Sequence, residues 1–377
     1  MAVSIEEVVY LDYNATTPVL PEVVEAMLPY LTQRYGNPPS EHVLGRQAAQ
    51  AVGAARDQVR RAARVRGRGD RVHLRWDRGE QPRHPRGSGG RGRASTADRH
   101  FGRRAPRHRR APHAAGHHRL ADHNRPGHLH RSRRRGHGRD QDGPGCRSRH
   151  RHARAKRDRR AHADRRVRAA ARAAGALVHT DAAQAVGKIP VDVDIVGVDL
   201  LLVAGHKCYA VKGVGALYIR RGTPVHPVLR GAGQERGLRP GTENVAGIVG
   251  LGAACEILQA SLASEAPGLT MLREQLWAGL ARAFPGLVRL TPLDRALPNP
   301  LLVSFPQASG RDVLAVCPTV AAATGSACHA GQEHPSEAVL AMGVDPRTAA
   351  GTVRLSLGRG TSAADVERAS AGLAAAA

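Results

Sequence analysis

Residues 176–207, ALVHTDAAQAVGKIPVDVDIVGVDLLLVAGHK, decide the fold of this chain. An apolar strand is expected at Ala176–His179, a second at Asp199–Val203 and a third at Gly215–Ile219. Short apolar runs of this kind, separated by helical stretches, point to an α/β sheet covered on both faces. Asp181 follows directly on the first strand, and Gly205-His206-Lys207 follows directly on the second. In open α/β sheets the C-terminal ends of strands are where ligands bind. A strand-end Asp capping a helix, or an exposed Lys, is the commoner case for each residue taken alone. The pair is more specific than either member.

Working outward, Tyr10–Val19 reads as a short strand-like run ended by Pro18, with Pro21 at the start of a helix through Leu28. Tyr35–Pro39 reads as a turn, and Ser40 as the cap of a helix reaching about Arg64. After the middle of the chain, Ala169–Ala174 reads as a helix closed by Gly175, and Val245–Ser261 as another helix. The Ala- and Leu-rich C-terminal third is expected to form a smaller domain. The division is therefore 1–65 as the start of a large domain, 66–166 as an aberrant segment, 167–260 as the remainder of the large domain, and 261–377 as the small one.

Segment 66–166 holds 31 Arg, one Lys and 14 His against nine acids, with only four residues from Ile, Leu, Val and Met. Outside it stand 25 bases and 23 acids, so the net charge of +25 belongs almost wholly to this stretch. So little apolar surface cannot offset the entropy of ordering a hundred residues, and disorder is expected there. Arg-rich runs such as Arg133–Arg135 suit phosphate binding. Against that, Trp76 and Phe101 are the segment's whole supply of aromatic stacking surface, and no finger-like Cys/His spacing occurs.

The residue types Arg, His, Pro, Gly, Ala and Asp are also what GC-rich coding sequence gives when translated out of frame. Stepping one nucleotide forward, the codons of Val72–Pro85 permit F-T-S-G-G-T-E-A-N-N-L-A-I, and Trp76 followed by Asp77 forces one of the glycines. The same offset permits T-S-A-V-E-H-P-A-I through His100–His108 and M-H-A-Q-N-E-T through His152–Asp158. Three matches in one order at one offset point to compensating frame changes near Arg64–Gly69 and Asp164–Val167.

The five cysteines are odd in number and unpaired in spacing, and Met1–Tyr10 carries acids instead of a basic, apolar leader. A cytoplasmic protein without a disulfide framework is expected. No apolar run approaching the roughly 20 residues of a membrane span is read, so no membrane partner is expected.

Several motifs together resemble the class V aminotransferase family and, within it, the NifS-like cysteine desulfurases. They are Leu11-Asp12-Tyr13-Asn14-Ala15-Thr16-Thr17-Pro18, Tyr35-Gly36-Asn37-Pro38, His179-Thr180-Asp181-Ala182-Ala183-Gln184, Ala204-Gly205-His206-Lys207, Arg239-Pro240-Gly241-Thr242-Glu243-Asn244, Gly325-Ser326-Ala327-Cys328 and Val353-Arg354-Leu355-Ser356. The resemblance implies the fold type I architecture of pyridoxal-phosphate enzymes: a large mixed α/β domain of the seven-stranded type, plus a small C-terminal α+β domain. It implies that Lys207 carries pyridoxal 5′-phosphate covalently, Asp181 pairs with the ring nitrogen, Gln184 meets the ring hydroxyl and His206 helps hold the phosphate region. Thr242 would reach the phosphate of the partner subunit in a homodimer, and Arg354 with Asn14 would bind the substrate. Cys328, in a mobile Gly- and Ala-rich loop, would take the sulfur of L-cysteine as a persulfide and pass it to an acceptor or scaffold protein for iron–sulfur cluster or thio-cofactor synthesis. Cys255 and Cys317 are read as buried structural cysteines. No metal is implied.

The chain departs from the family's pattern at Ala204, where many relatives have Ser. The Gly-Gly-Thr turn for the phosphate, the histidine stacking on the ring and the asparagine near the ring oxygen occur only in the shifted frame. The chain as it stands is therefore expected to take up little cofactor. Two alternatives remain open: another class V enzyme, such as a selenocysteine lyase or an aminotransferase, and a non-enzymatic Arg-rich nucleic-acid binder. On the leading reading nucleic acid is not among the partners.

Overall fold

The computed structural model describes residues 4–66, 71–75, 149–152, 169–171, 173–294, 296–324 and 336–375. Within the segment 66–166 the expected disorder does not hold at 71–75 and 149–152, which are strands paired into the large sheet. The rest of that segment beyond residue 66, and the Cys328 loop, fall outside these residues.

The strands in chain order are β1 (Val9–Tyr10), β2 (Arg71–Arg75), β3 (Arg149–His152), β4 (Val178–Asp181), β5 (Leu200–Ala204), β6 (Gly215–Ile219), β7 (Val288–Arg289), β8 (Pro300–Ser304), β9 (Val320–Ala321) and β10 (Thr352–Ser356). Four helices frame them: α1 (Pro21–Thr32), α2 (Val43–Ala62), α3 (Val245–Ala283) and α4 (Ala363–Ala375). The large sheet has the order β2-β6-β5-β4-β3. Strands β3, β4 and β5 run parallel, and β6 is antiparallel to both β5 and β2. Five strands of this mixed sheet thus lie among the described residues. A second, antiparallel sheet has the order β10-β8-β7, and β1 pairs in parallel with β9.

Strands β5 and β6 are apolar nearly throughout because both their faces are covered, as the sequence pattern requires. One core gathers Val52, Val59, Val178, Leu201, Val203, Tyr218, Leu251 and Leu258. A second gathers Val9, Leu11, Leu276, Leu301, Val303, Val353, Leu355 and Leu373. The second core therefore takes residues from both ends of the chain.

Several expected boundaries differ. The run Tyr10–Val19 is a strand only at its start, Val9–Tyr10, α1 continues past Leu28 to Thr32, and the strand expected at Ala176–His179 is Val178–Asp181, so that Asp181 lies within it. His42, not Ser40, caps α2: its Nδ1 accepts from the Gly45 amide at 3.3 Å. Ser40 instead closes the preceding turn by donating its amide to the Asn37 carbonyl at 2.9 Å. The helix that opens at Val245 does not stop near Ser261 but continues to Ala283, through Pro267. Its first half packs in one core, through Ile248 and Leu251, and its second half in the other, through Leu276 and Leu280. Tertiary packing at both ends outweighs the single ladder bond that a proline removes. By length and composition α3 could also cross a membrane, contrary to the sequence expectation. More than half of its apolar window is buried inside the protein, so it is a core helix.

Candidate active site

Asp181 ends β4 and Lys207 stands in the 3-10 turn Gly205–Lys207 that follows β5, so the two occupy neighbouring parallel strands at their C-terminal ends. Asp181 Oδ1 accepts from the Ala183 amide at 2.9 Å, which tightens the turn leading to Gln184. Gly205 is required by a close approach: its amide donates to the Val214 carbonyl at 2.9 Å, and a Cβ there would lie 2.6 Å from that oxygen. The turn bearing His206 and Lys207 is thereby pressed onto the start of β6.

Beyond Lys207, Tyr209 adopts a left-handed φ of 61°, a strained value for a residue with a side chain. Its amide donates to Thr17 Oγ1 at 2.9 Å, and its hydroxyl accepts from the Arg359 amide at 2.7 Å. Burial pushes its phenol pKa up, so the hydroxyl stays protonated.

The N-terminal segment 12–17 crosses over these strand ends and joins them to β10. Thr17 donates to the His206 carbonyl through its amide at 2.9 Å and its hydroxyl at 3.0 Å, and His206 Nδ1 lies 3.3 Å from Thr16 Oγ1. Asn14 is the hub. Its carbonyl accepts from Gln184 Nε2 at 2.8 Å, its Oδ1 accepts from Asn299 Nδ2 at 3.0 Å, and its amide donates to Ser356 Oγ at 3.0 Å. Two residues earlier, Asp12 forms an ion pair with Arg354 at 2.8 Å. Arg354 Nε is buried without a hydrogen-bond partner among the described residues. Arg354 also exchanges backbone hydrogen bonds with Ala323, on the segment that runs into the Cys328 loop.

Gln184, Asn14 and Arg354 are thus linked through the N-terminal segment, and Asp181, His206 and Lys207 share the strand ends beside them. Thr242 is exposed, its carbonyl accepting from Arg239 Nη1 at 3.2 Å; no hydrogen bond joins it to the others. Cys328 lies outside the described residues. Cys255 and Cys317 are buried free thiols, and burial pushes the Cys255 thiol pKa well up, away from reactivity.

Sequence reasoning passed over Lys188, which is 6% exposed and donates through Nζ to Gln184 Oε1 at 3.0 Å. Burial, with Lys207 adding like-charge repulsion, lowers its pKa to about 8. The signal in the sequence was a lysine four residues after Gln184, in a stretch too apolar to expose it. Asp12 and Asn299 were also missed as positioning groups, since their partners are more than 280 residues away.

The donor set suits the ring of pyridoxal 5′-phosphate: a carboxylate for the ring nitrogen, an amide for the ring oxygen and an amine for the carbonyl. A guanidinium such as that of Arg354 suits an amino acid's carboxylate. Ala204 offers no hydroxyl to a phosphate; of the other positions expected to bind that group, His206 lies at the strand ends and Thr242 is exposed, while the shifted-frame Gly-Gly-Thr turn after Arg75 falls outside the described residues.

A family model, Aminotransferase class-V, matches residues 9–68 and 164–369. The chain is 37% identical to a cysteine desulfurase of Rhodobacter capsulatus, over 96% of this chain and 94% of that one. It is 35% identical to the cysteine desulfurase IscS of Anaeromyxobacter dehalogenans, over 95% and 90%. Among solved structures, a NifS-like protein superposes with a TM-score of 0.70 at 24% identity, covering 97% of this chain and 98% of that one. The NifS-like protein of Rickettsia africae gives 0.68 at 18%, covering 96% and 97%. These two likenesses show the fold.

Proposed function

From the premise that the chain belongs to the class-V aminotransferase family, we propose that it is a pyridoxal-phosphate-dependent cysteine desulfurase, taking sulfur from L-cysteine and releasing L-alanine. The single observation that carries this reading is the network joining the cofactor-side residue Gln184 to the substrate-side residue Arg354 through Asn14 and Asp12. Relatives named cysteine desulfurase, matched over almost their whole length, support the same substrate.

Pyridoxal phosphate, when bound, supplies the electron sink for bond changes at the substrate's α-carbon. Lys207 holds the cofactor and, as a free amine, moves the proton at that carbon. The Asp181 carboxylate keeps a proton on the ring nitrogen, and the Gln184 amide donates to the ring oxygen. Arg354 grips the substrate carboxylate, and Asn14 helps shape the same pocket. Cys328, as thiolate, attacks the substrate sulfur: the carbon–sulfur bond breaks, a sulfur–sulfur bond forms on Cys328, and the carbon takes up a proton to give alanine. The persulfide then passes to an acceptor or scaffold protein.

A homodimer belongs to the reading. Val24, Leu28 and Leu31 form an exposed apolar stripe on α1 that a second copy would cover, with Thr242 reaching across. A cytoplasmic location also belongs to it, in keeping with the free buried thiols.

The family model stops at 68 and resumes at 164, which supports the two frame changes placed near those positions. The test is to supply purified protein with pyridoxal phosphate and L-cysteine and to measure alanine and protein-bound sulfur. The chain as it stands is expected to show only a weak visible cofactor band; Lys207→Ala is expected to lose it altogether, and Cys328→Ala to keep it while losing the persulfide. Alanine formed equally well by Lys207→Ala would overturn the reading.

A further inference from the structure

Gln184 has both ends of its amide committed inside the protein: Nε2 donates to the Asn14 carbonyl at 2.8 Å and Oε1 accepts from Lys188 Nζ at 3.0 Å. A flipped amide would set its NH2 against an ammonium and its oxygen against a carbonyl, so the two partners admit one orientation. In that orientation Oε1 faces the buried lysine, and the second Nε2 hydrogen is what remains for a ligand at the strand ends. We propose that Lys188 is a positioning residue that fixes Gln184 as a hydrogen-bond donor toward the cofactor, so that the site accepts a ring oxygen with lone pairs or negative charge and disfavours a hydroxyl donor. The assignment rests on the cofactor reading above and extends it to a residue that does not touch the ring.

The burial of Lys188 makes a space-filling role a poor explanation. Its side chain is 6% exposed, and the hydrogen bond to Gln184 is its one polar contact among the described residues. Its other close titratable neighbours are Lys207 and Cys208. A desolvated ammonium beside a second lysine destabilises the fold relative to an apolar side chain of equal volume. Methionine would fill the same space without that penalty. A lysine there therefore has its use in the one thing methionine cannot do, which is to donate to Gln184.

The experiment compares wild type, Lys188→Met, Lys188→Gln, Gln184→Ala and the Lys188→Met/Gln184→Ala double variant. Two quantities are read: the thermal midpoint of the cofactor-free protein, and the dissociation constant for pyridoxal phosphate from its visible absorbance, titrated into the millimolar range. Lys188→Met is expected to melt at or above wild type yet to bind about tenfold more weakly, the size of one charge-assisted hydrogen bond. Lys188→Gln keeps an N–H donor and is expected to stay within about threefold of wild type. The double variant is expected to bind no more weakly than Gln184→Ala alone, because both substitutions remove the same interaction.

Wild-type affinity in Lys188→Met, or losses that add in the double variant, would overturn the assignment and leave the cofactor reading standing. Should Lys188→Met fail to fold, Lys188→Gln decides: affinity near wild type supports the assignment, and a loss as large as that of Gln184→Ala overturns it. Wild-type protein that takes up no cofactor at any concentration overturns the cofactor reading and the assignment together.

Discussion

Arg354 shows how much a single side chain depends on its surroundings. A strand places it, since Val353 and Leu355 on either side are fully buried and fix its backbone. One nitrogen is held by Asp12 at 2.8 Å, and Nε is left without a partner. A guanidinium keeps its remaining donors in one plane, a geometry that fits a carboxylate and that a lysine lacks. Arg354→Lys is therefore expected to lower kcat/KM for L-cysteine by about tenfold or more, chiefly through KM, while the cofactor spectrum is unchanged. An equal fall in cofactor uptake would show that the arginine acts on the fold of the site instead of on the substrate.

Among elements, the turn after β5 is the most constrained. Gly205 lies against β6, Tyr209 sits at positive φ, and Thr17 clamps the turn from outside. Gly205→Ala would bring a methyl group within 2.6 Å of the Val214 carbonyl, a backbone atom just before β6 that cannot move freely. Overpacking of this kind costs about 1–3 kcal/mol. The expected result is a lower denaturation midpoint together with weaker cofactor uptake, since Lys207 is two residues away. Unchanged uptake would mean that the turn tolerates displacement.

Over the whole molecule, two buried or bridged charges shape the response to pH. Hydrogen bonds from Arg289, helped by Arg273, hold the Glu274 carboxyl down to about 2 from its ordinary 4.5. A carboxylate whose folded pKa is depressed contributes stability above the unfolded value, and that contribution is lost as pH falls from 4.5 toward 2. With 39% of the Glu274 side chain exposed, solvent screening keeps the effect small. Lys188 acts on the other limb. Its pKa falls from 10.5 to about 8, so between those values the unfolded chain binds more protons and stability rises with pH. Denaturation midpoints are expected to climb from pH 8 toward pH 10, and Lys188→Met should flatten that climb. A climb of equal slope in the variant would place the titrating group elsewhere. The middle segment gives a second prediction at this scale. A chain carrying the shifted-frame residues through 72–158, with its Gly-Gly-Thr turn, is expected to bind pyridoxal phosphate far more tightly than the chain as it stands. Equal affinity would dispose of the frame inference.

The sequence by itself determined the buried strand β5 that leads into Lys207, because a doubly covered strand must be apolar along its whole length, whereas β4, which ends in Asp181, is apolar only at its start. It also determined the family motifs and the abrupt change of composition at 66–166. Local pattern could not show that α3 would run unbroken to Ala283, since its second half is stabilised by a core built from residues at both ends of the chain. Nor could it show Asp12 on Arg354, Asn299 on Asn14 or Tyr209 beneath Arg359. Lys188 is the clearest case. In the sequence it is one lysine in a turn, and only packing strips away its water, sets it beside Gln184 and makes its charge matter. Hydrophobic periodicity is local and legible, whereas the partner of a buried polar group is chosen by the tertiary fold.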